Sequence, residues 1–294
     1  MIVITAPTGK IGHRVLAAVL ERGVPVRVVV RDPGKLPNSV RDLVEVVEGS
    51  HGDAEVVDRA FAGADTLFWL VPPDPRAATV DDAFVGFTLP AAEALQRHKV
   101  KRVVGISALG RGSPGAARAG FVTASLAMDD LIASTGVVYR AVTCPSFMDN
   151  VARQSVPIRD KGTFLLPLDG ERKMPTCATR DIAEIATRLL LDPNWDRTGH
   201  TSVLGPEDLS CNDIAALMSD VLDKPIRYEQ ISFDAYKAGF FERGVSEAMA
   251  QGLTDMARAK NEGLDNTEPR TPENTTPTGF SQWCEEELKP IVFG

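Results

Sequence analysis

The chain opens Met1-Ile2-Val3-Ile4-Thr5-Ala6-Pro7-Thr8-Gly9-Lys10-Ile11-Gly12-His13-Arg14-Val15-Leu16. An apolar, β-branched run passes into a glycine turn and then into a helical pattern. That order builds a dinucleotide site. The helix N-terminus offers unpaired backbone N–H groups and a partial positive charge to a pyrophosphate. Gly9 lets the backbone approach the phosphates, and Gly12 lets the first helix pack closely on the first strand. Ala6 stands where the usual three-glycine spacing has its first glycine. A left-handed φ there would cost an alanine about 1–2 kcal/mol. Pro7 disfavours the α region at the residue before it, so an extended, unstrained Ala6 is expected.

The next segments complete a βαβ unit. Ile11, Val15, Leu16, Val19 and Leu20 recur at helical spacing, and Gly23 is placed to stop the helix. Pro25 to Val30 reads as a second strand, and Arg31-Asp32-Pro33-Gly34-Lys35 follows directly. The tip of this strand faces the adenosine ribose. An acidic residue there suits the 2′-hydroxyl of NAD, and an arginine suits the 2′-phosphate of NADP. Arg31 with Lys35 therefore favours NADP over NAD.

Outward from this unit, strands and helices alternate. Strands are expected at 43–47, 65–71, 100–108 and 137–143, with helices near 55–62, 81–98 and 120–134. This alternation predicts a parallel sheet with helices on both faces, in the doubly wound order 3-2-1-4-5-6. The second half is less regular. It reads as loops and short strands over 145–175, a helix at 180–191, a strand at 201–204 and a helix to Leu222 with Ser210 as N-cap. A strand at 227–231, a helical stretch over 233–259, a polar surface loop at 261–278 and a last helix at 279–288 follow. The expected fold is a Rossmann α/β protein with a smaller C-terminal α+β lobe. Its nucleotide-binding domain is 1–150, with 178–206 returning to it; the lobe is 151–177 and 207–294.

Composition bounds the function. The 294 residues are 44% hydrophobic and 24% charged, enough for one large core with a smaller lobe. A net charge of −8 argues against direct nucleic-acid binding. No apolar run is long enough to span a bilayer. Thr5 and Pro7 interrupt the N-terminal run, so no signal peptide is expected. The four cysteines form no C-x-x-C pair, which fits reduced thiols and a cytoplasmic protein. Cys144 reads as a buried structural thiol. His13, His51, His98 and His200 stand alone, so no metal site is expected. Asp129 and Asp130 are adjacent on a helix and read as a solvated face. Ser107 can hydrogen-bond a substrate oxygen or cap its strand. Phe233, Tyr236, Phe240 and Phe241 read as one apolar face, packed or covering a pocket.

Taken together, Thr5 to Gly12, Arg31-Asp32-Pro33, Gly52-Asp53, Val100 to Leu109, Pro145 to Asn150, Thr179 to Ala183 and Leu204 to Glu207 resemble the NmrA-like group of atypical short-chain dehydrogenases. The resemblance covers nearly the whole chain. It implies that Thr8, Gly9, Lys10, Ile11 and Gly12 touch the pyrophosphate, Arg31 and Lys35 the 2′-phosphate, and Asp53 the adenine side. Val71 and Pro72 would line the adenosine cleft, with Ser107 and Ala108 near the nicotinamide ribose. Pro145 would line the nicotinamide side, and Phe121, Phe147 and Asn150 the substrate pocket. Typical short-chain dehydrogenases carry a Tyr-x-x-x-Lys pair, for which this chain has Phe121 and Ser125. Some NmrA-like reductases lack the Tyr but keep a basic residue near the position of Ser125, so this chain departs from them too. The resemblance implies an NADP-dependent oxidoreductase giving hydride to a small, flat, apolar acceptor such as a quinone. The alternative it leaves open is a non-catalytic, NAD(P)-binding redox sensor acting through a protein partner.

Overall fold

The computed structural model describes all 294 residues. The chain forms two compact units. Met1–Ser107, Ala124–Thr143 and Ile182–Thr201 make the first; Ala108–Thr123, Cys144–Asp181 and Ser202–Gly294 make the second.

The first unit is built on a seven-stranded sheet. Its strands are β1 (Ile2–Thr5), β2 (Val26–Val30), β3 (Glu45–Glu48), β4 (Thr66–Trp69), β5 (Arg102–Ala108), β6 (Val138–Cys144) and a later strand, Gly199–Ser202, that adds to β6. The order across the sheet is that later strand, then β6-β5-β4-β1-β2-β3. This is the expected doubly wound order with one strand more. β1 pairs in parallel with β2 (Ile2 opposite Val26) and with β4 (Ile2 opposite Thr66), so the strand order reverses between β1 and β4. β2–β3 and β4–β5 are also parallel. All four residues of β1 are buried, as a strand covered on both faces requires. Helices α1 (Gly12–Leu20), α2 (Asn38–Arg41), α3 (Ala54–Phe61), α4 (Phe87–His98), α5 (Phe121–Ser134) and α6 (Ser155–Lys161, a short helix of the second unit) precede α7 (Thr179–Leu191). α1 buries Val15, Leu16 and Val19, the stripe read from its sequence. Thr5 fixes the reversal point: its hydroxyl donates to the Phe68 carbonyl at 3.0 Å and accepts the Leu70 N–H at 3.0 Å.

The second unit carries two small sheets. One joins β7 (Ser146–Phe147), Met174–Cys177 and Asp208–Leu209; the other pairs Thr163–Leu166 with Arg227–Gln230 in parallel. Its core includes Met148, Phe164, Met218, Phe280 and Trp283. Helix α8 (Cys211–Leu222) starts at the expected cap, with the Ser210 hydroxyl accepting the Asp213 N–H and the Asp213 carboxylate accepting the Ser210 N–H.

Two expectations for this unit are corrected. The helical pattern over 233–259 is not one helix. It divides into α9 (Phe233–Phe241) and α10 (Glu247–Asn261). Gly244 takes φ +74° and donates to Phe241, Val245 N–H reaches Phe240, and Ser246 caps the new helix. The polar stretch 261–278 is no free surface loop. Asp265, Thr276 and Thr278 are buried. Asp265 pairs with Lys260, and the Thr278 N–H and hydroxyl donate to Asp181 at 3.1 and 2.7 Å. Polar groups can be buried when they satisfy one another, a pairing that composition alone does not reveal.

Candidate functional site

The loop after β1 turns tightly. Gly9 N–H donates to the Ala6 carbonyl at 3.1 Å, and Ala6 takes φ +48°. This corrects the expected extended Ala6. Turn closure over Gly9 outweighs the proline's bias and holds Ala6 in a left-handed conformation that costs about 1–2 kcal/mol. A Cβ on Gly12 would stand 2.1 Å from the Ala6 oxygen, so only glycine fits there. Ile11 and Gly12 are buried under the loop, while Thr8, Gly9 and Lys10 are exposed on its rim. No side chain caps the start of α1, and its first turn holds no acidic residue. The positive helix end without a side-chain cap and the glycine cradle fit a pyrophosphate.

Arg31 and Lys35 lie just past β2, both exposed and neither paired with a carboxylate. The exposed Asp32 carboxylate between them caps the next turn, accepting the Gly34 N–H at 2.9 Å. Asp53 caps α3 by accepting the Glu55 N–H at 3.0 Å. Val71 is half-buried and Pro72 exposed in the loop after β4.

His51 is a feature that its loop sequence hid. It is buried between Trp69 and Phe87, nearly perpendicular to both rings, with centroids at 5.1 and 4.9 Å. Its Nε2–H donates to the Leu70 carbonyl at 3.0 Å. Burial lowers its pKa to about 4 against the raising effect of that bond, and the nearby Arg31 cation lowers it further. His51 is thus a neutral strut that ties the β3–α3 loop to the end of β4.

The end of β5 carries a buried polar chain. Ser107 Oγ donates to Asp129 Oδ2 at 2.6 Å, and the Tyr139 phenol donates to Asp129 Oδ1 at 2.6 Å. Ser125 Oγ stands 3.4 Å from Ser107 Oγ. Asp129 is 3% exposed. This corrects the solvated reading of Asp129: its neighbour Asp130 faces solvent, whereas Asp129 points into the unit. Gly105 makes room for the phenol, because a Cβ there would stand 2.3 Å from the Tyr139 oxygen. The i, i+4 spacing of Ser125 and Asp129 was the one sequence signal for their shared face.

The other predicted residues lie in the second unit. Ala108 and Phe147 are half-buried, Pro145 is buried, Phe121 is half-buried at the start of α5, and Asn150 is exposed. Phe147 sits opposite Cys177 in the small sheet. Cys144 and Cys177 are both buried. Burial pushes the Cys177 thiol well above its ordinary range, and a hydrogen bond with Cys144 pushes it further, so neither the geometry nor the charge favours a nucleophile there. No helix is long and apolar enough to cross a membrane.

Comparison with known proteins places this geometry in a family. A model described as NAD(P)H-binding matches residues 7–193, and one described as the NmrA-like family matches residues 128–285. The chain is 32% identical over 256 residues to a (4-alkanoyl-5-oxo-2,5-dihydrofuran-3-yl)methyl phosphate reductase of Streptomyces griseus, covering 85% of each protein. It is 26% identical to an NAD(P)H azoreductase of Xenophilus azovorans, over 87% of this chain and 86% of that one. The solved structure of an NADPH-dependent quinone oxidoreductase from Escherichia coli shares the fold, with a TM-score of 0.75 at 20% identity over 96% of this chain and 98% of that one. The chain belongs to the NmrA-like family of NAD(P)H-dependent reductases.

Proposed function

We propose that the protein binds NADPH in preference to NADH and passes hydride to a flat, conjugated acceptor such as a quinone. The observation that carries the cofactor choice is the β2 tip. Arg31 and Lys35 are exposed there without a carboxylate partner, and Asp32 is engaged by the Gly34 N–H of its own turn. A 2′-phosphate offers both cations a charge-assisted partner that NADH lacks. Thr8 to Gly12 would hold the pyrophosphate, Asp53, Val71 and Pro72 the adenosine, and Ser107, Ala108 and Pro145 the nicotinamide end. Phe121, Phe147 and Asn150, with segments 151–177 and 207–294, would shape the acceptor side.

The acceptor class follows from which protons are available. Phe121 has no proton to give, and the Ser107 proton is committed to Asp129. NADPH, when bound, supplies the hydride; the residues supply position and orientation. An acceptor that stabilises the added electron pair before protonation suits such a site. Quinones do so, as do conjugated enones and azo bonds, the groups named for the two relatives above. Stopped-flow NADPH absorbance against quinone, azo and butenolide acceptors tests the reading. Turnover above the uncatalysed rate supports it, and none across the panel removes it.

A second reading rests on the same missing acid. A protein that binds the cofactor and signals its redox state through a partner needs no proton donor. It predicts tight NADPH binding, no oxidation with any acceptor, and a partner interaction that differs between NADPH and NADP⁺.

A further inference from the structure

We propose that Asp129 is a positioning residue that fixes the polarity of the nicotinamide end, making Ser107 a hydrogen-bond acceptor for the cofactor and not a proton donor to the acceptor. The inference rests on the NADPH-binding part of the reading above, and not on turnover.

A carboxylate has lone pairs only, and a hydroxyl has one proton. Both Asp129 oxygens take a hydroxyl donor, Ser107 on one and Tyr139 on the other, each at 2.6 Å. Both bonds are short, and in both the hydroxyl is the donor. With its proton on Asp129, Ser107 has only lone pairs left. Ser125, 3.4 Å away, must then donate to Ser107 and not receive from it. Every proton in the chain therefore runs inward: Ser125 to Ser107, Ser107 to Asp129, and Tyr139 to Asp129 from the other side. The capacity left on Ser107 is for accepting.

The chain's place gives that polarity a use. Ser107 is the penultimate residue of β5, on the half of the sheet beyond the β1–β4 reversal. Open α/β sheets bind ligands at the carboxyl ends of their strands, with one mononucleotide on each half. The first half holds the glycine loop and Arg31, so the second half receives the nicotinamide nucleotide. That nucleotide offers ribose hydroxyls and a carboxamide N–H, which are donors and match an acceptor. The device is also built in: Gly105 leaves the notch that Tyr139 fills, and Tyr139 is 2% exposed. Burial of all these groups keeps water from competing for Asp129.

The test measures NADPH binding by fluorescence titration without any acceptor, then KM and kcat with 1,4-naphthoquinone. Ser107→Ala and Asp129→Asn are each expected to weaken NADPH binding by about five- to thirtyfold, the range of one lost hydrogen bond to a buried partner. Ser107→Thr, which keeps the hydroxyl, is expected to stay within about threefold. The double variant Ser107→Ala with Asp129→Asn is expected to be no weaker than the worse single one, because the two act through one contact. The loss should fall in NADPH affinity and KM, not in kcat. Ser107→Ala binding NADPH as tightly as wild type while losing kcat would make Ser107 a proton donor and overturn the proposal. Fully additive losses, or unchanged binding in Asp129→Asn, would overturn it too. Should Asp129→Asn fail to fold, Tyr139→Phe removes one donor from the same carboxylate and is expected to weaken binding by a smaller factor; an unchanged affinity there, with Ser107→Ala also unchanged, overturns the proposal. A wild-type protein that binds NADPH but reduces nothing defeats the enzyme reading and leaves this one standing; one that binds no NADPH defeats both.

Discussion

The carbonyl oxygen of Ala6 lies 2.1 Å from where a Cβ on Gly12 would stand. Two residues of one loop thus interlock: the left-handed turn at Ala6 aims its carbonyl at the first turn of α1, and Gly12 leaves the gap that receives it. Gly12→Ala must push the loop off the helix. Because the clash is with backbone, no rotamer change relieves it. The expected loss is about 1–3 kcal/mol of stability, with weaker NADPH binding, since the same loop would hold the pyrophosphate in the proposed site. Urea unfolding and a cofactor titration on the purified variant check both.

Ala6→Gly acts in the opposite direction. Glycine removes about 1–2 kcal/mol of left-handed strain and adds roughly 0.5–1 kcal/mol of unfolded-state entropy. A net gain of about 0.5–1 kcal/mol in stability is expected. NADPH affinity should change little, because Ala6 already holds the turn that binding uses. An unfolding midpoint below wild type would show that the turn is not strained.

Arg31→Ala should separate the two nicotinamide cofactors. Its guanidinium is exposed and unpaired, so its loss leaves no buried charge behind. NADPH affinity is expected to fall by about 1.5–3 kcal/mol, the value of a charge-assisted bond to phosphate, with NADH nearly unchanged. Calorimetric titration of both cofactors decides it. Equal wild-type affinities for NADPH and NADH would end the NADP assignment.

His51 gives the fold a pH dependence. Its folded pKa is lowered to about 4 from 6.5, chiefly by burial. Between those values the unfolded chain binds the proton and the folded one does not. Stability contributed by neutral His51 is therefore complete above pH 6.5 and is lost as pH falls toward 4, by about 3 kcal/mol at most. His51→Gln keeps a donor for the Leu70 carbonyl and has no proton to gain. Its unfolding free energy should depend less steeply on pH between 6.5 and 4 than that of the wild type. Parallel slopes would place the titration elsewhere.

The sheet was legible because its signals are local. β1, α1 and β2 follow from periodicity, and a right-handed crossover then dictates where the strands go. Ser210 was legible as a cap for the same reason, since its partner Asp213 is three residues away. Groups whose partners are distant in sequence were not. Asp129 looks like one of two exposed acids until Tyr139 and Ser107, on neighbouring strands, are brought to it. Asp181 and Thr278 are 97 residues apart, so the polar stretch before Thr278 read as a loop. Ala6 misled differently. The preference of a residue before proline is a weak local bias, and the turn hydrogen bond from Gly9 overrides it.

The same buried chain constrains the pH dependence of turnover. A dedicated acid poised near neutrality gives kcat a limb at its pKa. Phe121 supplies no such group, the protons of Ser107 and Tyr139 are held by Asp129, and His51 is neutral well below neutral pH. Hydride transfer to a quinone should then leave kcat flat, within about twofold, from pH 6 to 8. The proton would reach the reduced quinone from water after the hydride has moved. Simple ketones, which need protonation during transfer, should turn over at least about a hundredfold more slowly, the usual contribution of a positioned acid. Restoring the usual pair with Phe121→Tyr and Ser125→Lys would put an ammonium beside Asp129, one helical turn away on α5, where an ion pair would compete with its work on the new phenol. Little ketone activity is therefore expected from that double variant unless Asp129→Asn is added. Rates of NADPH oxidation with 1,4-naphthoquinone and with a saturated cyclic ketone, across that pH range and for both variants, are the measurement. A titrating limb near neutrality in the wild type would reveal an acid that this arrangement of side chains does not contain.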